Sequence, residues 1–312
     1  MANIEYVKQK DIDKVRWDTC IDNAPNGLIY ACSYYLDIMS KNWDALIMND
    51  YEAVMPLTWN RKFGISYLRQ PAFTQQLGVF GNGSFGNNLT EQFVNKALGL
   101  FPFAEINLNF ANEYNKCAGI KCNLILHLNQ PFNVIEKSFK KDFVKKAKSV
   151  QLIYERSDEI EEAIKLFKQF YSERLPNLRE KNYEGFLQLC LLLKNKGQLL
   201  IRKVNSPEGK LMAISIFFKD NRRIYYMMSA TLPGGRNHDA NHFLLHELIK
   251  EFSEQNLIFD FEGSEIPSIN FFFRKFNPVE QPYCFVAINK LDFWKRWIKK
   301  IYDYYKYSSI KQ

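Results

Sequence analysis

The stretch from Lys210 to Asn289 constrains this chain more than any other, because its pattern alternates between two periods within eighty residues. Leu211–Lys219 and Arg222–Ser229 are rich in Ile, Phe, Tyr and Met and are separated by Asp220-Asn221, which predicts a hairpin. Thr231–Asp239 carries Pro233, Gly234 and Gly235 and predicts a loop. Ala240–Glu254 places Leu244, Leu245, Leu248, Ile249 and Phe252 on one helical side. Leu257–Phe261 is a short apolar run that fits only a buried strand, and it leads into Asp260-Phe261-Glu262-Gly263-Ser264. Ile266–Phe276 returns to helical spacing, and Tyr283–Asn289 closes as a strand.

A hairpin, a glycine-containing loop and then a helix form a recurrent anion site. The first backbone N–H groups of the helix have no partner within it, and its dipole favours negative charge there. Gly234, Gly235, Arg236, Asn237 and Asn241 are the candidate donor-binding residues on this reading. The competing reading is a solvated loop whose glycines only make the turn.

The order of these elements resembles the core of the GNAT (Gcn5-related N-acyltransferase) superfamily. The run Gln255-Asn256-Leu257-Ile258-Phe259-Asp260-Phe261-Glu262-Gly263-Ser264 resembles the second domain of Fem-type (FemAB) aminoacyltransferases. Phe139-Lys140-Lys141-Asp142-Phe143-Val144-Lys145-Lys146-Ala147-Lys148-Ser149 is similar to the basic helix that opens that domain. The resemblance implies a mixed α/β fold of two tandem GNAT-like domains. It implies a bacterial transferase that modifies cell-wall (peptidoglycan) precursors, with an acyl-CoA or an aminoacyl-tRNA as donor and an amine as acceptor, the amine of a nucleotide-linked precursor among the candidates. The chain lacks sustained heptads, so the coiled-coil arm of some Fem enzymes is not expected. The acetyl-CoA pattern R/Q-x-x-G-x-G/A is not matched by Leu232-Pro233-Gly234-Gly235-Arg236-Asn237, which argues against acetyl-CoA itself.

A chain of 312 residues is long for one core, and two domains are expected, 1–130 and 131–312, joined near Asn129-Gln130-Pro131. The first half reads helix, strand, helix, hairpin, strand, loop, helix, strand. Its elements are a helix over 11–24 anchored by Trp17, a strand at Leu28–Ala31 and a helix from Ser33 with Ser33 as cap. A hairpin turns at Asn49-Asp50 with Pro56 ending or edging its second strand, and a helix follows Thr90. This is a degenerate copy of the second half in element order, without a residue repeat.

Charge separates the halves. Residues 1–136 balance at −2 and residues 137–312 at +10. The basic half holds the candidate anion site, which suits a phosphate-bearing partner: a nucleotide cofactor, an activated precursor or a tRNA. The cysteines, Cys20, Cys32, Cys117, Cys122, Cys190 and Cys284, are scattered without C-x-x-C, which fits reduced thiols and a cytoplasmic location. No apolar run approaches the roughly 20 residues of a membrane span, and the N-terminus lacks a secretory pattern. The tail Lys290–Gln312 places Trp294, Trp297, Ile298, Ile301 and Tyr305 on one helical face among basic residues. Such a helix docks on the body of a protein or lies on an anionic membrane.

Acyl transfer to an amine needs positioning, a proton acceptor and oxyanion stabilisation, and no Ser or Cys nucleophile. Asp260 and Glu262, two apart on a strand, share a face and are the candidate catalytic carboxylates; alternatively they accept N–H bonds near the next helix. Arg274 and Lys275 near a helix end, together with Arg69, Gln75, Gln76 and Tyr226, are candidates for substrate contact in a cleft between the halves. His238, His242 and His246 recur every four residues but do not form H-E-x-x-H, and no metal is implied. No G-x-x-x-x-G-K-[ST] or G-x-G-x-x-G occurs, which leaves ATPase and Rossmann readings unsupported. The alternative function is a catalytically inactive GNAT-fold protein that binds a nucleotide-linked ligand, RNA or an anionic surface.

Overall fold

The computed structural model describes residues 3–83, 87–263 and 266–290. The described residues form two compact units, one made of those up to Lys121 and from Pro282 onward, the other of Cys122–Gln281.

The first unit opens with β1 (Ile4–Val7), α1 (Lys14–Asn23) and α2 (Ser33–Met39), followed by β2 (Trp43–Met48), β3 (Ala53–Lys62), β4 (Ile65–Arg69) and β5 (Phe80–Gly81). After α3 (Asn87–Leu100) comes β6 (Phe103–Asn107). Helix α1 starts at Lys14, three residues inside the expected span, because the Asp13 side chain accepts from the N–H groups of Val15 and Arg16. Two sequence expectations fail at the next turn. Leu28–Ala31 is not a strand; Ile29–Ala31 is a 3₁₀ turn whose Ala31 carbonyl accepts from the buried Trp17 indole at 2.7 Å. Ser33 is not a cap; it lies inside α2, and Asp18 accepts both its N–H at 2.6 Å and its hydroxyl at 2.7 Å. Of the two expectations for Pro56, the second holds: it edges its strand locally rather than ending it. It faces Ala45 on β2, past the Ala53–Val54 pairing with β5 and before the Trp59–Lys62 pairing with β4, where β3 changes partner on its other side and no N–H is needed.

The second unit is built from β7 (Gly119–His127, its first residues belonging to the first unit), α4 (Phe132–Ser138), α5 (Lys141–Lys148), β8 (Ile153–Arg156) and α6 (Ile160–Tyr171). It continues with α7 (Glu180–Asn195), β9 (Leu199–Asn205), β10 (Leu211–Lys219), β11 (Arg223–Thr231), α8 (Pro233–Asn237) and α9 (Ala240–Glu251). Then come β12 (Ile258–Asp260) and α10 (Pro267–Phe273), and β13 (Val279–Asn289) returns the chain to the first unit. Its core gathers Phe143, Phe217, Phe259, Phe261, Phe273 and Phe276 with the leucines of α9. The expected glycine loop is instead the five-residue helix α8, set by Pro233 in its first turn.

The two units share one strand topology. In the first, β1, β2, β3 and β4 run antiparallel in that order, β4 pairs parallel with β6, and β6 pairs antiparallel with β13. In the second, β8, β9, β10 and β11 run antiparallel, β11 pairs parallel with β12, and β12 pairs antiparallel with β7. Each parallel pair is joined through helix, α3 in one case and α8 with α9 in the other. The join read from the sequence at 130/131 differs from these units for a specific reason. The last strand of the first half, β7, completes the second unit, and the last strand of the second half, β13, completes the first.

The cysteine expectation also needs correction. Cys117 and Cys284 form a disulfide within the first unit, across a sequence separation of 167 that hides the pair from any local motif. Cys20, Cys32 and Cys190 are buried thiols, and Cys122 is half-buried. Among the described residues no helix is long and apolar enough to cross a membrane. The aromatic tail from residue 291 lies outside the described residues.

Candidate active site

Where two parallel strands part, their carboxyl ends leave room for a ligand. The β11–β12 ladder runs from Arg223 opposite Ile258 to Tyr225 opposite Asp260 and stops there, while β11 continues to Thr231. A register shift between Ile216 and Phe217 leaves Met227 of β11 as a bulge residue just past the fork.

The first unit has the equivalent fork after Leu68 and Arg69 on β4 and Ala104 and Glu105 on β6, and its own chain stitches it shut. The Gln70 N–H donates to the Glu105 carbonyl at 3.2 Å, the Leu77 N–H to the Asn107 carbonyl at 2.9 Å, and the Asn107 amide to the Gln75 carbonyl at 2.8 Å. Gln76, 1% exposed, accepts the Phe110 N–H at 2.8 Å. Of the first-half candidates, Gln75 and Gln76 therefore close the fork by holding the chain, and Arg69 is exposed at its edge. The adjacent turn is closed by Asn26, Asn109 and Asn112, whose amides all donate to the Val79 carbonyl at 2.8–2.9 Å.

At the β11–β12 fork, Asp260 and Glu262 do not form a matched pair on one strand face. The strand ends at Asp260, and Glu262 follows with a left-handed backbone, φ 62. Asp260 is 2% exposed, receives Arg223 Nη1 at 2.8 Å and the Asn123 amide at 2.9 Å, and accepts the Glu262 backbone N–H at 2.9 Å. Arg223 is also bonded to Gln281 at 3.2 Å. Asp260 thus fixes the turn, and Glu262 supplies the carboxyl whose acidity is displaced. Loss of water around it pushes the Glu262 carboxyl up to about 8. Phe261, between them, packs against Phe259, Phe273 and Phe276 at ring distances of 4.8–5.1 Å. Gly263 is required next, because at its φ of +52 a Cβ would stand 2.7 Å from the Cys122 carbonyl. A strained non-glycine residue held on both sides by packing and a buried ion pair is the pattern expected of a functional position.

Tyr226, the first β11 residue past the fork, is buried and donates from its hydroxyl to Asn241 Oδ1 at 3.0 Å. Burial raises the phenol to about 12. Ser215 donates to Ser229 at 2.9 Å, and Ser229 to Asn241 at 3.4 Å, which extends a chain of hydroxyls along β10 and β11 to the start of α9. Asn241 is therefore turned toward the strands.

Around the expected anion cradle several backbone N–H groups are engaged. The N–H of Arg236 donates to the Leu232 carbonyl, that of His238 to Gly235, and those of His242 and Phe243 to Asp239. The glycines serve close packing: a Cβ on Gly235 would stand 2.1 Å from the Met212 carbonyl, and one on Gly234 3.3 Å from Met212 Sδ. Arg236 donates to the Thr231 carbonyl at 3.2 Å and lies over the rings of Phe170 and Tyr171, while its side chain and Asn237 remain exposed. Arg274 bonds Glu280 at 2.6 Å and Lys275 bonds Asp142 at 2.6 Å, so both cations are paired within the second unit.

The three histidines point to different tasks. His238 faces the Gly234 carbonyl at 2.8 Å. His242 lies among Phe143 and Phe272, and burial lowers it to about 4. His246 bridges Glu136 at 2.7 Å and Glu247 at 3.0 Å. Sequence reasoning missed Arg223 and Asn123. Arginine at the head of a strand that carries no other charge, with an aspartate ending another, is the signal that could have paired Arg223 with Asp260.

The comparisons with known proteins agree with this architecture. Residues 137–265 match the acetyltransferase (GNAT) domain family model. A search of curated protein sequences finds no match. Among solved structures the chain is similar to FemX, with a TM-score of 0.63 at 12% identity over 92% of this chain and 98% of that one. It is similar to a conserved protein of unknown function from Bacteroides thetaiotaomicron, with a TM-score of 0.55 at 11% identity over 93% and 100%. It is also similar to Saccharomyces cerevisiae N-myristoyltransferase with bound myristoyl-CoA, with a TM-score of 0.50 at 12% identity over 93% and 79%. The fold is that of the GNAT superfamily, mixed α/β and Fem-like across nearly the whole chain.

Proposed function

We propose that this protein transfers an acyl or aminoacyl group to an amine, with the chemistry at the β11–β12 fork of the second unit. The position of Glu262 carries the reading: half-buried, just past the end of β12, in a left-handed turn pinned by Asp260, with its acidity displaced. In this reaction the amine nitrogen bonds to the donor carbonyl carbon, and the bond from that carbon to the leaving sulfur or oxygen breaks. The ionised Glu262 carboxylate takes a proton from the attacking nitrogen and returns one to the leaving group. A carboxyl near 8 is matched to that exchange close to neutral pH. An incoming ammonium ion also favours the ionised carboxylate, so acceptor binding prepares the base.

The donor lies along β11 beyond Tyr225, with its anionic end toward the exposed Arg236 and Asn237 on α8 rather than in a nest of backbone amides. Gly234, Gly235 and Asn241 shape the floor of that segment. Acyl-CoA and aminoacyl-tRNA are the donor classes, and an amine on a nucleotide-linked cell-wall precursor is the acceptor of the Fem-type version. The test is a mass-detected screen of acyl-CoA and aminoacyl-tRNA pools against amine acceptors. For a donor and acceptor that react, Glu262→Gln should lower kcat by at least about a hundredfold, within the usual range for a lost general base. A rate that survives this change rejects Glu262 as the base.

The engaged amides at Arg236, His238, His242 and Phe243 favour one second reading, a GNAT fold that has kept binding and lost transfer. It predicts no transfer from any donor, together with steeply salt-dependent binding of a polyanion.

A further inference from the structure

Helix α5 turns Phe143 and Ala147 into the core, which sends Lys141 and Lys145 outward on the opposite side. Lys140, just before the helix, and Lys137, at the end of α4, are also exposed. Among the described residues none of these four ammonium groups has an ion-pair partner. The carboxylates near them are already neutralised: Glu136 is bonded to Lys148 at 2.7 Å and Asp142 to Lys275 at 2.6 Å. The face therefore carries its lysine charge without local compensation.

Apolar side chains stand beside it. Phe271 is 69% exposed, with Lys275 Nζ 5.5 Å from its ring centre, and the Lys275 carbonyl accepts the Lys140 N–H at 2.8 Å. Phe271 is thus local to the lysine face. Val134, three residues before Lys137 on α4, is 45% exposed. Unpaired lysines beside protruding apolar groups are the two components that hold a protein on an acidic bilayer: the charges act at the headgroups, and the apolar groups enter the interface. The uncompensated cations are all lysines. They are point charges suited to a diffuse anionic surface, without the planar fork that reads phosphates and bases of nucleic acid.

We propose that the α4–α5 lysine face, with Phe271 beside it, docks this protein on an anionic phospholipid bilayer. The surface belongs to one unit and is independent of the chemistry assigned to Glu262. The test uses the full chain in co-sedimentation with vesicles of phosphatidylcholine alone or of phosphatidylcholine and phosphatidylglycerol at three to one. Binding is expected to the anionic vesicles only and to fall at high salt. Lys141→Glu with Lys145→Glu should weaken it by about tenfold or more, and Phe271→Ala by a few fold, with circular dichroism confirming that each variant is folded. Absence of lipid-charge-dependent binding overturns the proposal. Binding that both variants leave unchanged overturns it too, because attachment then lies elsewhere on the chain. Displacement of the vesicles by an equal mass of single-stranded RNA, lost in the same lysine variant, would reassign the face to nucleic acid.

Discussion

Arg223 Nη1 donates to Asp260 Oδ2 at 2.8 Å, and the two side chains are 4% and 2% exposed. The pair bolts the start of β11 to the end of β12, one residue before the chain turns outward at Phe261 and Glu262. Removing one partner leaves an uncompensated charge in the core, so Asp260→Ala should lower the unfolding free energy by about 3–5 kcal/mol. Urea denaturation measures it. A loss below about 1 kcal/mol would mean that the pair is not buried in solution.

Glu262 gives the opposite sign. Its folded carboxyl is pushed up to about 8, above its ordinary value of 4.5. The unfolded chain loses that proton first as pH rises, so between those two values ionisation favours unfolding, and above the folded value the penalty is complete. Glu262→Gln should therefore raise the melting temperature at pH 9 and leave it nearly unchanged at pH 4. The same variant should lose transfer activity. A residue that gains stability when its functional group is removed is what a strained catalytic position produces. Equal melting temperatures at pH 9 would contradict the displaced acidity.

The glycines of α8 separate a packing role from a ligand role. A Cβ on Gly235 would meet the Met212 carbonyl at 2.1 Å, which is backbone and cannot swing away. Gly235→Ala must displace α8 and should cost about 1–3 kcal/mol, the range of core overpacking. Gly234→Ala would meet only the end of the flexible Met212 side chain at 3.3 Å and should be nearly neutral in thermal unfolding. Equal effects of the two would refute the packing account.

The sequence showed its long elements because their periods were undisturbed. The hairpin turning at Asp220-Asn221, the helix carrying Leu244 and Leu248 and the basic helix around Phe143 are all present. It failed where tertiary contacts overrode local pattern. Leu28–Ala31 has strand composition, yet the carbonyl of Ala31 is needed by Trp17. Gly234-Gly235 has loop composition, yet it packs as helix on Met212. At the site, the run Asp260-Phe261-Glu262 was legible, but the division of labour within it was not. Alternation predicts a shared face for Asp260 and Glu262. The left-handed turn at Glu262 separates them, and it depends on Arg223, Asn123 and Cys122, all remote in sequence. The exchange of β7 and β13 was invisible for the same reason, since strand partners are chosen by register and core rather than by order along the chain.

The disulfide ties this exchange to stability. Cys284 lies in β13, the strand that the second half of the chain contributes to the first unit, and Cys117 lies after β6, with which β13 pairs. The bond thus fastens the returning strand to its destination and closes a loop with a sequence separation of 167. Closing so long a loop restricts the unfolded chain strongly, and loss of such a bond typically costs about 2–5 kcal/mol. Cys284→Ser should lower stability by that amount in denaturant, and a reducing agent should bring the unmodified protein to the same midpoint. Cys20→Ser serves as the control, since its thiol is free and its midpoint should respond to reductant as the unmodified protein does. Should reductant leave the unmodified protein where it was, the two sulfurs are not bonded in solution and β13 is held by its ladder with β6 alone.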